Sequence, residues 1–194
     1  MISRHFNAEE INKVCNDPSV KPWLLIPGIE EVDISHFAAD DRNYILMGDG
    51  GGCWLHYRFT GIYEGHVVFV DGKRSKAAHQ TTGEALRYMF VQTDCMEIYL
   101  RIPGSNLNAQ KWAEAFGFSF DYSRLAWPEL DGLGALQYYS MTFNDWLRSL
   151  AGGEDQKREA IFQAMLEHGQ TDKGFYLYNK WALLVGKPFR QRVQ

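Results

Sequence analysis

The 194-residue chain contains only three cysteines, Cys15, Cys53 and Cys95. They are odd in number and far apart, which excludes a CxxC-type metal spacing and a disulfide framework. Reduced thiols, at least some packed as small hydrophobes, fit this pattern and point to a reducing cytoplasm. No stretch approaches the ~18 apolar residues of a membrane span. The opening residues, Met1 to Glu10, lack the apolar region of a secretion leader. Basic excess is missing too: 20 Lys and Arg against 24 Asp and Glu give a formal charge of −4. That argues against a general nucleic-acid binder, leaving only a local patch such as Lys187, Arg190 and Arg192. Internal repeats and low-complexity tracts are absent.

What remains is an ordinary globular composition, 45% hydrophobic and 23% charged. A chain of this length can bury ~70% of its unfolded surface without disulfides or metal, and no metal site is expected. Aromatic residues are abundant at 14%, so where they are used becomes a question.

The pattern along the chain predicts an α/β (α+β) fold. Residues 7–16 read as a short helix with Asn7 as N-cap and Glu9 and Glu10 in its first turn. A second short helix is expected over 18–25, before Pro27-Gly28, and Asp33–Phe37 is ambiguous. Three antiparallel strands follow: Asn43–Gly48, Cys53–Thr60 and His66–Val70, with turns at Asp49–Gly52 and Gly61–Gly65. Within the second, Trp54, His56 and Arg58 alternate against Leu55, Tyr57 and Phe59. Lys76–Thr93 has helical spacing through Ala85, Leu86, Met89 and Phe90. Cys95–Ile102 is a strand and Asn108–Phe116 a helix stopped by Gly117. Phe118–Ala126 and Leu136–Thr142 are strands joined through Trp127–Gly134, and Asn144–Leu150 is a short helix. Ala151-Gly152-Gly153 reads as a hinge. Beyond it lie helices at Glu154–His168, with Ile161, Ala164, Met165 and His168 on one face, and at Thr171–Val185. The chain thus divides into a core, 1–150, and a helical C-terminal extension, 151–194.

The segment from Ile98 to Phe118 carries the strongest signal. It holds a strand, then Asn106-x-x-Ala109, then an amphipathic helix ending in Gly117-Phe118. This resembles the late core motif of the GNAT N-acetyltransferase superfamily, and the coarse element order matches over roughly 40–146. The resemblance implies a mixed, mostly antiparallel sheet flanked by helices, with central strands splayed to admit the pantetheine arm of acetyl-CoA. It places cofactor contacts at Arg101, Ile102 and Asn106. It also places them at Arg74, Lys76 and Ala77, where the family's Q/R-x-x-G-x-G/A loop turns backbone N–H groups toward a diphosphate at a helix N-terminus. Two departures stand out. Ala77 and His79 occupy the glycine slots of that loop. Ala113 occupies the position where many members carry a catalytic Tyr, and a methyl group cannot donate a proton.

His66 is the candidate general base, since an imidazole titrates near neutrality; His56 and Glu64 lie nearby, and Tyr122, Tyr138 and Tyr139 sit on the last strands. A degraded cofactor loop without the Tyr also resembles the GNAT-like proteins of tailed bacteriophages, a branch that spans acetyltransferases and virion or head-assembly proteins. Two functions follow: transfer of an acetyl group from acetyl-CoA to an unidentified amine, or a catalytically inactive GNAT fold acting through protein contacts. Phe175, Tyr176, Tyr178 and Trp181 in 151–194 suit an interface with a protein partner or a second copy, or packing on the chain's own core. Nucleic acid and membrane partners are not expected.

Overall fold

A computed structural model describes residues 2–24, 29–74, 76–125, 135–149, 154–168 and 172–187. Seven strands form one sheet: β1 (Ser3–His5), β2 (Tyr44–Gly48), β3 (Gly51–Phe59), β4 (Ile62–Phe69), β5 (Glu97–Pro103), β6 (Ser119–Arg124) and β7 (Leu136–Thr142). Their order across the sheet is β1-β2-β3-β4-β5-β7-β6. Every pairing is antiparallel except β4 with β5. That parallel pair needs a crossover, supplied by the long helix α3 (Lys76–Gln92), which follows the short helices α1 (Glu9–Cys15) and α2 (Ser35–Ala38). The remaining helices are α4 (Leu107–Ala115), α5 (Phe143–Arg148), α6 (Glu154–His168) and α7 (Asp172–Val185). The mixed α/β architecture expected from the sequence is therefore present. No described helix is long and apolar enough to cross a membrane.

Alternation along the strands splits the apolar residues between two cores. One face of the sheet supplies Leu55, Tyr63, Ile98, Leu100, Tyr139 and Met141 to a core closed by α3, α4 and α5. The opposite face supplies Ile45, Trp54 and Val68 to a smaller core under α1 and α2. All three cysteines are free and buried.

Several sequence expectations are corrected. Asn7 does not cap α1; Ala8 is the N-cap residue, and the Asn7 side chain accepts only from the Glu9 amide. Residues 21–23 form a 3-10 turn rather than a helix over 18–25. The turn expected over Gly61–Gly65 is confined to Thr60 and Gly61, and β4 already begins at Ile62, so His66 lies inside the strand rather than at its start. Gly65 is a strand residue, and a Cβ there would stand 2.9 Å from Leu100 Cδ2 and 3.1 Å from Ile98 Cγ2, so the close approach of β5 side chains suits a glycine. Gly51 and Gly52 likewise belong to β3. Phe59 is exposed, because a register shift after Tyr57 breaks the alternation. β1 carries no hydrophobic alternation and was not foreseen. Gly117 does stop α4, at a φ of 93°. Ala126, the joint at 127–134, Leu150 and the hinge at 151–153 lie outside the described residues.

The extension packs on the chain's own core. Ile161, Ala164 and Leu177 enter the large cluster, and Trp181 packs against it. Trp181 also meets Phe162 and Tyr178, with ring centroids 6.3 and 5.8 Å apart. Two buried lysines tie the helices down. Lys157 Nζ donates to the carbonyls of Trp146 and Ser149 at the end of α5. Lys180 Nζ donates to the carbonyls of Phe90 and Thr93 at the end of α3, at 2.8 and 2.9 Å. Helix C-termini leave carbonyls without intrahelical partners, and an ammonium group suits both their lone pairs and the dipole.

Candidate functional site

The ladder between β4 and β5 runs only from Ile62↔Glu97 to Gly65↔Leu100. Beyond that pair β4 continues to Phe69 on β3 alone, and β5 continues to Pro103 on β7 alone. The two central strands therefore part, and His66 and Arg101 are the first residues on the two lips of the opening. Neither lip uses its facing backbone groups on the other, so these remain for an extended ligand arm.

On the face away from α3 and α4, both lips converge on one carboxylate. Glu64 is fully buried, at 0% exposure. Arg58 donates to its Oε2 from Nε at 2.8 Å and from Nη2, and the Tyr99 hydroxyl donates to the same oxygen at 3.1 Å. Arg101 donates to Oε1 through Nε and Nη2, and His66 Nε2 lies 3.4 Å from Oε1. β-Sheet register brings the group together: His56 stands opposite Glu64, Trp54 opposite His66, and Glu64 opposite Tyr99. Burial alone would raise the Glu64 carboxyl, but His66, Arg101 and Arg58 outweigh it and hold the group well below the usual carboxylate range. Burial, with the nearby arginines adding to it, lowers the His66 imidazole despite Glu64. His66 is thus neutral at physiological pH, and Glu64 favours the tautomer with the proton on Nε2 and a lone pair on Nδ1. Its ring is about one quarter exposed and lies over Trp54, centroids 4.5 Å apart.

The other side of the opening is apolar. A pocket between α3, α4 and the sheet is lined by Leu55, Gly65, Leu100, Leu86, Met89 and Trp112, with free space of about 20 Å³. That is room for about one water. His79 of α3 packs against Phe116 at the end of α4, and Phe116 against Trp112, in tilted ring contacts with centroids 4.4 Å apart in each pair.

The predicted site residues scatter around this opening. His66 and Arg101 meet at Glu64. Ile102 is buried in the large core on the pocket side. Asn106 caps α4, its Oδ1 accepting from the Ala109 amide at 3.1 Å. Arg74 is committed elsewhere: Nε to the Phe69 carbonyl, Nη2 to the Ser19 carbonyl, and an ion pair with Asp71. Lys73 pairs with Asp49. Lys76, exposed at the start of α3, makes no ion pair among the described residues, and Ala77 beside it is half-buried. Ala113 is fully buried. Tyr122 stacks on Tyr138 at 4.5 Å, whereas Tyr139 is buried in the core. Sequence reasoning missed the roles of Glu64, Arg58 and Tyr99. The signal was available in part, since Trp54, His56 and Arg58 alternate onto one face.

No family profile and no curated protein sequence matches the chain. Solved structures do. Spermidine N-acetyltransferase from Vibrio cholerae, in complex with CoA and spermine, aligns with a TM-score of 0.62 at 15% identity, over 76% of this chain and 97% of that one. A probable GNAT-family acetyltransferase from Chromobacterium violaceum aligns at 0.56 and 19% identity, over 75% and 88%. A GNAT-family acetyltransferase from Bacillus anthracis aligns at 0.52 and 18% identity, over 74% and 94%. At these identities the likeness speaks for architecture: the splayed seven-stranded sheet with its α3 crossover is the fold of the GNAT acetyltransferases.

Proposed function

We infer that the protein is an acetyl-CoA-dependent N-acetyltransferase. The observation that carries this reading is the parting of β4 and β5 with a neutral, Glu64-oriented His66 on one lip. Acetyl-CoA would supply an acetyl group activated as a thioester, whose C–S bond breaks as the N–C bond to the amine forms. The unpaired backbone beyond Gly65 and Leu100 would hold its arm, and Lys76 with the α3 N-terminus would face its diphosphate. His66 Nδ1 would accept the proton lost by the amine, while Glu64 acts as its positioning residue. The absence of a hydroxyl at Ala113 is tolerable, because a thiolate with a conjugate pKa near 8.5 leaves without full protonation.

A thermal-denaturation shift with micromolar acetyl-CoA tests the reading, and no shift up to millimolar concentration overturns it. With binding established, His66→Gln is expected to lower kcat by about 10²-fold or more while leaving the acetyl-CoA shift in place.

A second reading is favoured by one feature, the small size of the pocket beside Trp112, about 20 Å³ of free space. It is a GNAT fold without the chemistry, acting through protein contacts as in a bacteriophage virion or head-assembly role. The same titration separates the two.

A further inference from the structure

The charges at the opening do not cancel. Glu64 contributes one negative charge, and Arg58 and Arg101 contribute two positive ones. His66 and His56, both lowered first of all by burial, add none at neutral pH. One positive charge is left over at the apex. Each guanidinium carries five N–H donors in a planar fork and turns one edge to Glu64. Both side chains are about one third exposed, at 35% and 36%, and neither meets a second carboxylate among the described residues. Further along the same face, the Arg124 guanidinium sits 5.6 and 5.8 Å from the rings of Tyr122 and Tyr138, and Tyr138 is the cross-strand partner of Arg101. Arg124 has no ion pair among the described residues; Asp121, three residues earlier on β6, accepts from Ser140 and carries one negative charge, so the excess rests on Arg58 and Arg101.

This field repels a polycation and attracts an anion. The open edges of two forks match the paired oxygens of a carboxylate or phosphate. The same excess charge lowers the pKa of an amine placed beside His66, which favours the neutral nucleophile. We propose that the acceptor is an amine that itself bears a carboxylate or phosphate group, held by Arg58 and Arg101 with its nitrogen at His66. The proposal rests on the acetyltransferase reading above and names the substrate class of that site.

The test uses the full chain, acetyl-CoA and matched acceptor pairs: glycine against glycinamide, O-phosphoethanolamine against ethanolamine, and spermidine as the polycation. The expected result is a kcat/KM at least tenfold higher for the anionic member of a pair, with spermidine the poorest acceptor. The glycine pair reads a carboxylate site and the phosphoethanolamine pair a phosphate site. Arg101→Lys keeps the counter-charge on Glu64 but loses the fork, and it should cut the anionic-to-neutral ratio about tenfold through KM. Preference for spermidine or for the neutral members overturns the proposal while leaving the acetyltransferase reading intact. If acetyl-CoA fails to bind, that reading falls. The anion site is then read directly, by titrating inorganic phosphate and acetate and following the Nε–H resonances of Arg58 and Arg101. Shifts at both support the site, and none at either overturns it.

Discussion

Glu64 and Lys180 are both buried charges, and the fold holds them in opposite ways. Glu64 sits among two guanidinium groups, a phenol and an imidazole, and its carboxyl is driven down. Lys180 has two backbone carbonyls as its hydrogen-bond acceptors, and burial brings its ammonium down to about 8, against the pull of Cys95 and Asp94. Full counter-charges keep a buried group ionised, whereas carbonyl dipoles leave desolvation dominant. The difference also divides labour: the Glu64 cluster builds a charged, half-open site, and Lys180 fastens a helix to the core.

Breaking the Glu64 side of this comparison should have the largest effect. Glu64→Gln leaves two arginines without their counter-charge and is expected to cost about 3 kcal/mol in chemical denaturation at pH 7. A depressed folded pKa means that the Glu64 contribution is complete above the unfolded value near 4.3 and is lost as pH falls toward the folded value. The gap between wild type and variant should therefore narrow below about pH 4. A gap that stays constant into acid would show that Glu64 is held by packing rather than by its charge.

Lys180→Met sharpens the other side. The folded ammonium titrates near 8 and the unfolded one near 10.4, so between these values the unfolded chain binds more protons. Stability of the wild type relative to Lys180→Met should rise across that window by on the order of 3 kcal/mol. At pH 7 the variant sheds the desolvation cost of the ammonium but leaves the Phe90 and Thr93 carbonyls without their donor, so the two proteins should lie within about 2 kcal/mol of each other. Cys15 and Cys53, pushed up to about 12 by burial, pull stability the other way at alkaline pH in both proteins, so the difference is the quantity to measure. A flat difference would mean that the carbonyls of Phe90 and Thr93 hold the ammonium charged.

Asn106 offers the uncharged reference. It satisfies one amide at the start of α4 with a neutral side chain. Asn106→Ala should cost about 1 kcal/mol, independent of pH between 6 and 9. A pH-dependent loss would place it in an electrostatic network that its single bond to Ala109 does not suggest.

Much of the fold was legible because local physics dictates it. The Asn106–Gly117 segment contains its own cap, apolar stripe and stop, and Lys76–Gln92 carries an uninterrupted helical period. That His66 and Arg101 lie on strands was legible. The link between them was not, because Arg58, Glu64 and Arg101 lie on three strands and meet only through pairing. Arg74 looked like a phosphate ligand for a similar reason: beside its neighbours Phe69 and Asp71, it is held by the Ser19 carbonyl, which only the fold brings to it. In the extension, the stripe through Ile161 and Ala164 was readable, and Lys157 lies on that stripe four residues before Ile161. A lysine there becomes intelligible only when the carbonyls of α5 are brought to it.

The order and type of most elements thus followed from the sequence alone, since periodicity, caps and glycine stops act within a few residues. Tertiary structure decided which charges are spent and which remain. Glu64, Arg74, Lys157 and Lys180 find partners 37, 55, 11 and 90 residues away in the chain, beyond the reach of any local rule. The excess charge beside His66 is a property of that assembled register.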